Sequence, residues 1–136
     1  MVHVIMGVRG SGKTKQLIAL VNEAAAAEKG AVVCLEHGNK LTYDIKYSTR
    51  LVDTKENHIS GYPALKAFIS GLYAGNYDIS KVFIDSLGKV AQDQDLKNAE
   101  EFLAWVDQFG AANGVDFVIT ISADINAATD GIKKYF

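Results

Sequence analysis

Four short runs along the chain are almost continuously apolar: Val2–Met6, Ala31–Leu35, Lys81–Ile84 and Phe117–Ile121. None alternates strictly, which is the pattern of strands covered on both faces of a parallel sheet. The segments between them have helical periodicity. From Lys13 to Glu28, Leu17, Ile18, Val21 and Ala25 fall on one face, and the pattern stops before Gly30. A second helix is expected from Pro63, carrying Leu65, Phe68, Ile69 and Leu72 to Gly75. A third is expected behind a capping pair, Asn98 with Glu101, with Ala99, Phe102, Leu103, Val106 and Phe109 inward and its end at Gly110. Strands alternating with helices predict right-handed crossovers. The expected fold is a three-layer, doubly wound α/β domain with a mainly parallel sheet, one unit over residues 1–136.

Two stretches break the alternation. Residues 38–60 are polar and aromatic, with Tyr43, Tyr47 and a candidate short strand at Arg50–Asp53. Residues 87–97 follow the third run and are rich in Gln and Asp. Both follow strand ends, where open α/β sheets bind ligands.

Composition narrows the picture. The 136 residues are 49% hydrophobic and 22% charged, enough apolar material for one real core and too much for a disordered chain. One cysteine, Cys34, excludes a disulfide framework and a cysteine-rich zinc site. No apolar run approaches membrane-spanning length, and no basic-then-apolar leader opens the chain, so a cytoplasmic location is expected. The net charge of −2 gives no prior for binding a nucleic-acid backbone.

Directly after the first run comes GVRGSGKT, Gly7–Thr14, which matches the phosphate-binding loop pattern without a mismatch and lies between a strand and a helix, as that loop requires. Gly7, Gly10 and Gly12 let the backbone turn its N–H groups inward, with Arg9 and Ser11 in the same cradle. The helix starting near Lys13 adds its positive end, Lys13 can reach the β- and γ-phosphates, and the Thr14 hydroxyl can ligate Mg²⁺. The third run ends KVFID, placing Asp85 where a Mg²⁺-supporting carboxylate is expected.

The second run ends in Glu36-His37, and the order GSGKT, helix, EKG, apolar strand, Glu36-His37 resembles the RecA-like ATPases among the P-loop NTPases, the branch of recombinases and clock proteins. The resemblance spans roughly residues 2–122. It implies ATP and Mg²⁺ as cofactors, Glu36 as the catalytic group that positions and deprotonates water, and Lys13 as its partner in catalysis. It further implies stacking of Tyr43 on adenine and sensing of the γ-phosphate by Ser122. Lys40 departs from the family's acidic adenine contact, and the later strands of the larger recombinases have no counterpart.

Other classes fit less well. Asp85-Ser86-Leu87-Gly88 has the D-x-x-G form of GTPases, but Asn39-Lys40-Leu41-Thr42 lies too early for a guanine motif and lacks its Asp. A small-molecule kinase needs an arginine-bearing lid, and the chain has only Arg9 and Arg50. Asp93 and Asp95 beside Lys89 argue against nucleic acid. The expectation is a slow Mg-dependent ATPase, acting with a protein partner or as a homo-oligomer in which Arg50, Lys133 or Lys134 completes a neighbour's site. The alternatives are a regulatory nucleotide-binding module without turnover, or a kinase.

Overall fold

The computed structural model describes residues 1–136. It contains strands β1 (Val2–Gly7), β2 (Ala31–Glu36), β3 (Arg50–Asp53), β4 (Ile79–Ile84) and β5 (Asp116–Ser122). Its helices are α1 (Lys13–Ala27), α2 (Tyr62–Gly75), α3 (Leu87–Ala91), α4 (Leu96–Asn113) and α5 (Asp130–Lys133). All five strands are parallel, in the spatial order β1-β5-β4-β2-β3.

Helices cover both faces of this sheet. Alternate residues of each strand divide between two cores: Val33, Leu35, Val82, Ile84, Phe117 and Ile119 pack with α2, α3 and α4. Val32, Cys34, Phe83 and Val118 pack with Leu17, Val21 and Ala24 of α1 and with Leu41 and Ile45 of the loop after β2. The physical reason is handedness. The chain steps across the sheet one way through α1 and returns through α2 and α4, and right-handed crossovers in opposite directions place their helices on opposite faces. Leu17, Leu65, Phe102 and Leu103 are fully buried, each contributing about 1.5–3 kcal/mol of transfer free energy.

The four expected strands form with a residue or two added at their ends, and Arg50–Asp53 is indeed a strand. It joins β2 in parallel without an intervening helix, because Leu41 and Ile45 seal the α1 face where a helix would otherwise lie. Residues 87–91, expected as irregular, form α3.

The third long helix corrects the expected cap. Its N-cap is Asp95, whose Oδ1 accepts from the Lys97 N–H at 2.8 Å, while Asn98 lies inside the helix and donates to Asp93 Oδ2 at 2.9 Å. A carboxylate three residues earlier takes the open N–H groups first. The helix also runs past Gly110 to Asn113 and stops at Gly114, whose φ is +69°. Gly110 is a packing glycine, since a Cβ there would collide with the Val115 carbonyl. The second helix starts one residue early, at Tyr62, with Pro63 in its first turn.

Candidate functional site

The carboxyl ends of β1, β2, β4 and β5 surround a cleft of about 380 Å³. Its wall carries five basic side chains, Arg9, Lys13, Lys15, Lys40 and Lys89, against the carboxylates of Glu36 and Asp85. Leu41 is its single hydrophobic residue. A chain with net charge −2 thus gathers a local excess of positive charge in one concavity. Such a cleft favours a polyanion over an apolar or cationic ligand.

The loop between β1 and α1 turns through Gly10 (φ +83°) and Gly12 (φ +88°), conformations that L side chains rarely adopt. At Gly7 a Cβ would sit 2.6 Å from Ser11 Oγ. The backbone N–H groups of Gly10 and Gly12 have no acceptor in the protein, and those of Lys13 and Thr14 belong to the first turn of α1, which has no intrahelical acceptors to offer. Lys13 is buried, and its Nζ donates to the Val8 carbonyl at 2.9 Å, so the ammonium is held under the loop.

Across the cleft, Thr14 Oγ1 lies 3.3 and 3.4 Å from the two oxygens of Asp85. Asp85 is also bound by the Thr120 hydroxyl at 2.9 Å, and Thr120 Oγ1 in turn accepts the Ser86 N–H at 2.7 Å. Ser86 has φ +57°, a left-handed non-glycine residue directly after the carboxylate. Strain of this kind persists where surrounding contacts over-determine it. Thr14 and Asp85 fit a small hard dication: two protein oxygens side by side suffice when phosphate and water supply the remaining ligands.

Glu36 is buried at the end of β2. Its Oε1 accepts from Lys40 N at 2.9 Å and its Oε2 from Leu41 N at 3.2 Å, so the carboxylate pins the start of the following loop. Burial pushes its pKa up, the neighbouring charges of Asp85 and Asp53 add to that, and the two backbone donors only partly offset the rise. One strand away, Asp53 shows the opposite balance. Burial acts to raise it, but the N–H groups of Gly38, Glu56 and Lys55 on its carboxylate, together with His37, hold it below the ordinary range.

Gly10, Gly12, Lys13, Thr14, Glu36, Asp85, Arg9 and Ser122 therefore share one cleft, although they come from four separate segments. Gly7 and Ser11 shape the loop behind it. Tyr43 is not in the wall; its ring is 98% exposed, and the loop lines the cleft through Lys40 and Leu41 instead. Arg50 begins β3 at the opposite edge of the sheet, so it cannot serve the cleft of its own chain. Cys34 is fully buried and burial pushes its thiol pKa up, leaving it a packing residue. Trp105 stacks between Phe102 and Phe109, at centroid distances of 6.2 and 5.0 Å.

Thr120, Lys15 and Lys89 escaped the sequence reading, which took Lys40 only as a departure from the resemblance. Thr120 is an ordinary β-branched strand residue until the fold sets it beside Asp85. Lys40 and Lys89 follow strand ends, which was the available signal. No family model matches the chain, and no curated protein matches it. No helix is long and apolar enough to cross a membrane.

Proposed function

We propose that this chain is a P-loop nucleoside triphosphatase of the RecA-like branch, which binds Mg·ATP in the cleft and hydrolyses it slowly, to ADP and phosphate, with a protein partner or a second copy. The observation that carries the reading is the convergence of buried Lys13, the open loop N–H groups, the Thr14–Asp85 pair and buried Glu36 on one basic cleft.

In this reading the Gly10, Gly12, Lys13 and Thr14 N–H groups cradle the phosphates, and Lys13 stabilises charge that develops on the β–γ bridge and the γ-phosphate. Thr14 and Asp85 hold Mg²⁺, which neutralises phosphate charge when bound. Glu36 orients a water and takes its proton, a task suited to a carboxylate whose basicity is raised by burial. Ser122 hydrogen-bonds the terminal phosphate. Tyr43 is the base contact, with the ligand supplying the cover that this exposed ring lacks.

A second reading has its own observation. Glu36 accepts the Lys40 and Leu41 N–H groups, so a ligand that recruited its carboxylate through a bound water or cation would release the start of the loop that carries Tyr43 and Tyr47. This supports the alternative of a nucleotide sensor without turnover. One experiment separates the readings: ATP binding and phosphate release measured for the wild type, Lys13→Ala and Glu36→Gln. Lys13→Ala should lose tight binding. Glu36→Gln should keep ATP and lose turnover if the chain is an ATPase; binding with no wild-type phosphate release makes it a sensor. No ATP binding by the wild type overturns both.

A further inference from the structure

Asn22 stands in the middle of α1, where asparagine is a weaker helix former than the alanines that follow it. Its carboxamide reaches across to the loop after β2. Nδ2 donates to the Asp44 carbonyl at 2.9 Å, and Oδ1 accepts the Lys46 N–H at 2.8 Å. One planar group thus grips the backbone on both sides of Ile45, whose side chain is buried in the α1 core. On the nucleotide reading, we propose that Asn22 is a positioning residue for the base. It fixes the Tyr43 ring relative to the glycine-rich loop, and so lets the protein discriminate a nucleotide from a bare polyphosphate.

Tyr43 depends on its backbone for its place. Its side chain is almost fully exposed, so no packing orients the ring. On its N-terminal side, Leu41 is buried and Glu36 accepts its N–H at 3.2 Å. The Asp44 and Ile45 N–H groups then close a turn on the Leu41 carbonyl at 3.0 and 3.1 Å. Asn22 supplies the hydrogen bonds that tie this turn to α1, directly after Tyr43.

The helix carries that constraint to the cleft. It starts at Lys13 and Thr14, both of which line the cleft. Asn22 lies roughly 13 Å further along the axis, at 1.5 Å per residue. Leu17 and Val21, between these points, are fully buried against Val32, Cys34, Phe83 and Val118 of the sheet. The start of α1 and the Asn22 anchor therefore move as one body. A ligand held by its phosphates at one end of the helix meets a ring whose position is set from the same helix.

The residue type is specific. The grip needs a donor and an acceptor in one short planar group, which asparagine has; aspartate would keep only the acceptor, and alanine neither. Asn22 does not line the cleft, so it touches no phosphate there and acts through the loop.

The test is a double-mutant cycle. Calorimetry measures Mg·ATP and Mg·tripolyphosphate binding by the wild type, Asn22→Ala, Tyr43→Ala and the double variant. Alanine suits a helix interior, and both bonds lie at the surface, where water can satisfy the freed backbone groups. The fold is therefore kept, as thermal melting will verify. Asn22→Ala should weaken ATP about threefold, part of the value of one aromatic contact. It should change tripolyphosphate less than about twofold, and ATP less than about twofold when Tyr43 is already alanine. Hydrogen exchange at the Lys46 amide should quicken in Asn22→Ala with or without ligand.

An unchanged ATP affinity in Asn22→Ala, or unchanged Lys46 exchange, overturns the proposal. So does an equal loss for tripolyphosphate, or the same ATP loss without Tyr43, the two results that a merely structural role would give. An unchanged ATP affinity in Tyr43→Ala overturns the positioning role and leaves the nucleotide reading standing. No ATP binding by the wild type overturns both.

Discussion

Thr120 Oγ1 donates to Asp85 Oδ1 at 2.9 Å and accepts the Ser86 N–H at 2.7 Å, so one buried hydroxyl both orients the carboxylate and satisfies the strained residue after it. Thr120 lies on β5, which the topology inserts between β1, followed by the glycine-rich loop, and β4, followed by Asp85. Replacing it with Val keeps the shape and removes both bonds. Thr120→Val should cost about 1–3 kcal/mol of stability in denaturant melts, because the Ser86 N–H loses its acceptor. On the proposed Mg·ATP reading it should also weaken Mg²⁺-supported nucleotide binding by about tenfold, the usual effect of removing a hydrogen bond from a metal-ligating carboxylate, while Thr120→Ser restores both.

Glu36 sets a pH dependence. Its folded pKa is raised, so once the pH exceeds the ordinary value of 4.5 the unfolded chain releases a proton that the folded chain retains. Unfolding then releases a proton, and stability falls as the pH rises through that window until the folded group has also ionised. Thermal melts of the wild type should show this slope, and Glu36→Gln should remove it. An identical slope in the variant would assign it to another group.

Asp53 acts with the opposite sign. Its folded pKa lies below the ordinary 3.8, so its contribution is complete above that value and is lost as the pH falls through the lower folded one. Asp53→Ala should cost about 1 kcal/mol at neutral pH, the scale of a capping carboxylate, since three loop N–H groups lose their acceptor. The deficit should shrink in strong acid, which acid titration of the two proteins will show.

On the proposed nucleotide reading, Tyr43 contacts the base and not the phosphates. Its ring packs against nothing, so Tyr43→Ala should leave stability within about 0.5 kcal/mol. It should weaken ATP by about fivefold, on the order of one aromatic contact, and leave tripolyphosphate affinity unchanged. Equal losses for both ligands would mean that the ring contributes nothing to base binding.

Gly110 tests the packing of α4. Gly110→Ala drives a methyl group into the Val115 carbonyl and should destabilise the protein by about 1–3 kcal/mol, despite the better helix propensity of alanine. Unchanged or raised stability in denaturant melts would contradict the close approach.

Local sequence determined much of this molecule. Continuous apolar runs marked the strands, since a strand buried on both faces has no polar positions to spare. Gly10 and Gly12 announced the loop because few other residues tolerate positive φ, and Lys13, Thr14, Glu36 and Asp85 were visible as polar groups at strand or loop ends. The tertiary structure decided what depends on neighbours distant in sequence. The Asp95 cap prevailed over Asn98, and Gly110 proved to be a packing position and not a helix end, because hydrogen bonding and the approach of Val115 outweigh local signals. Thr120 acquired its role only when β5 came to lie beside β4, and Lys89 faced the cleft only when Leu87, Val90 and Ala91 buried the rest of α3. A residue's conformational preferences are written in its own chemistry and that of its near neighbours; which group faces it across a sheet is set by strand order, to which residues far apart in the chain contribute together.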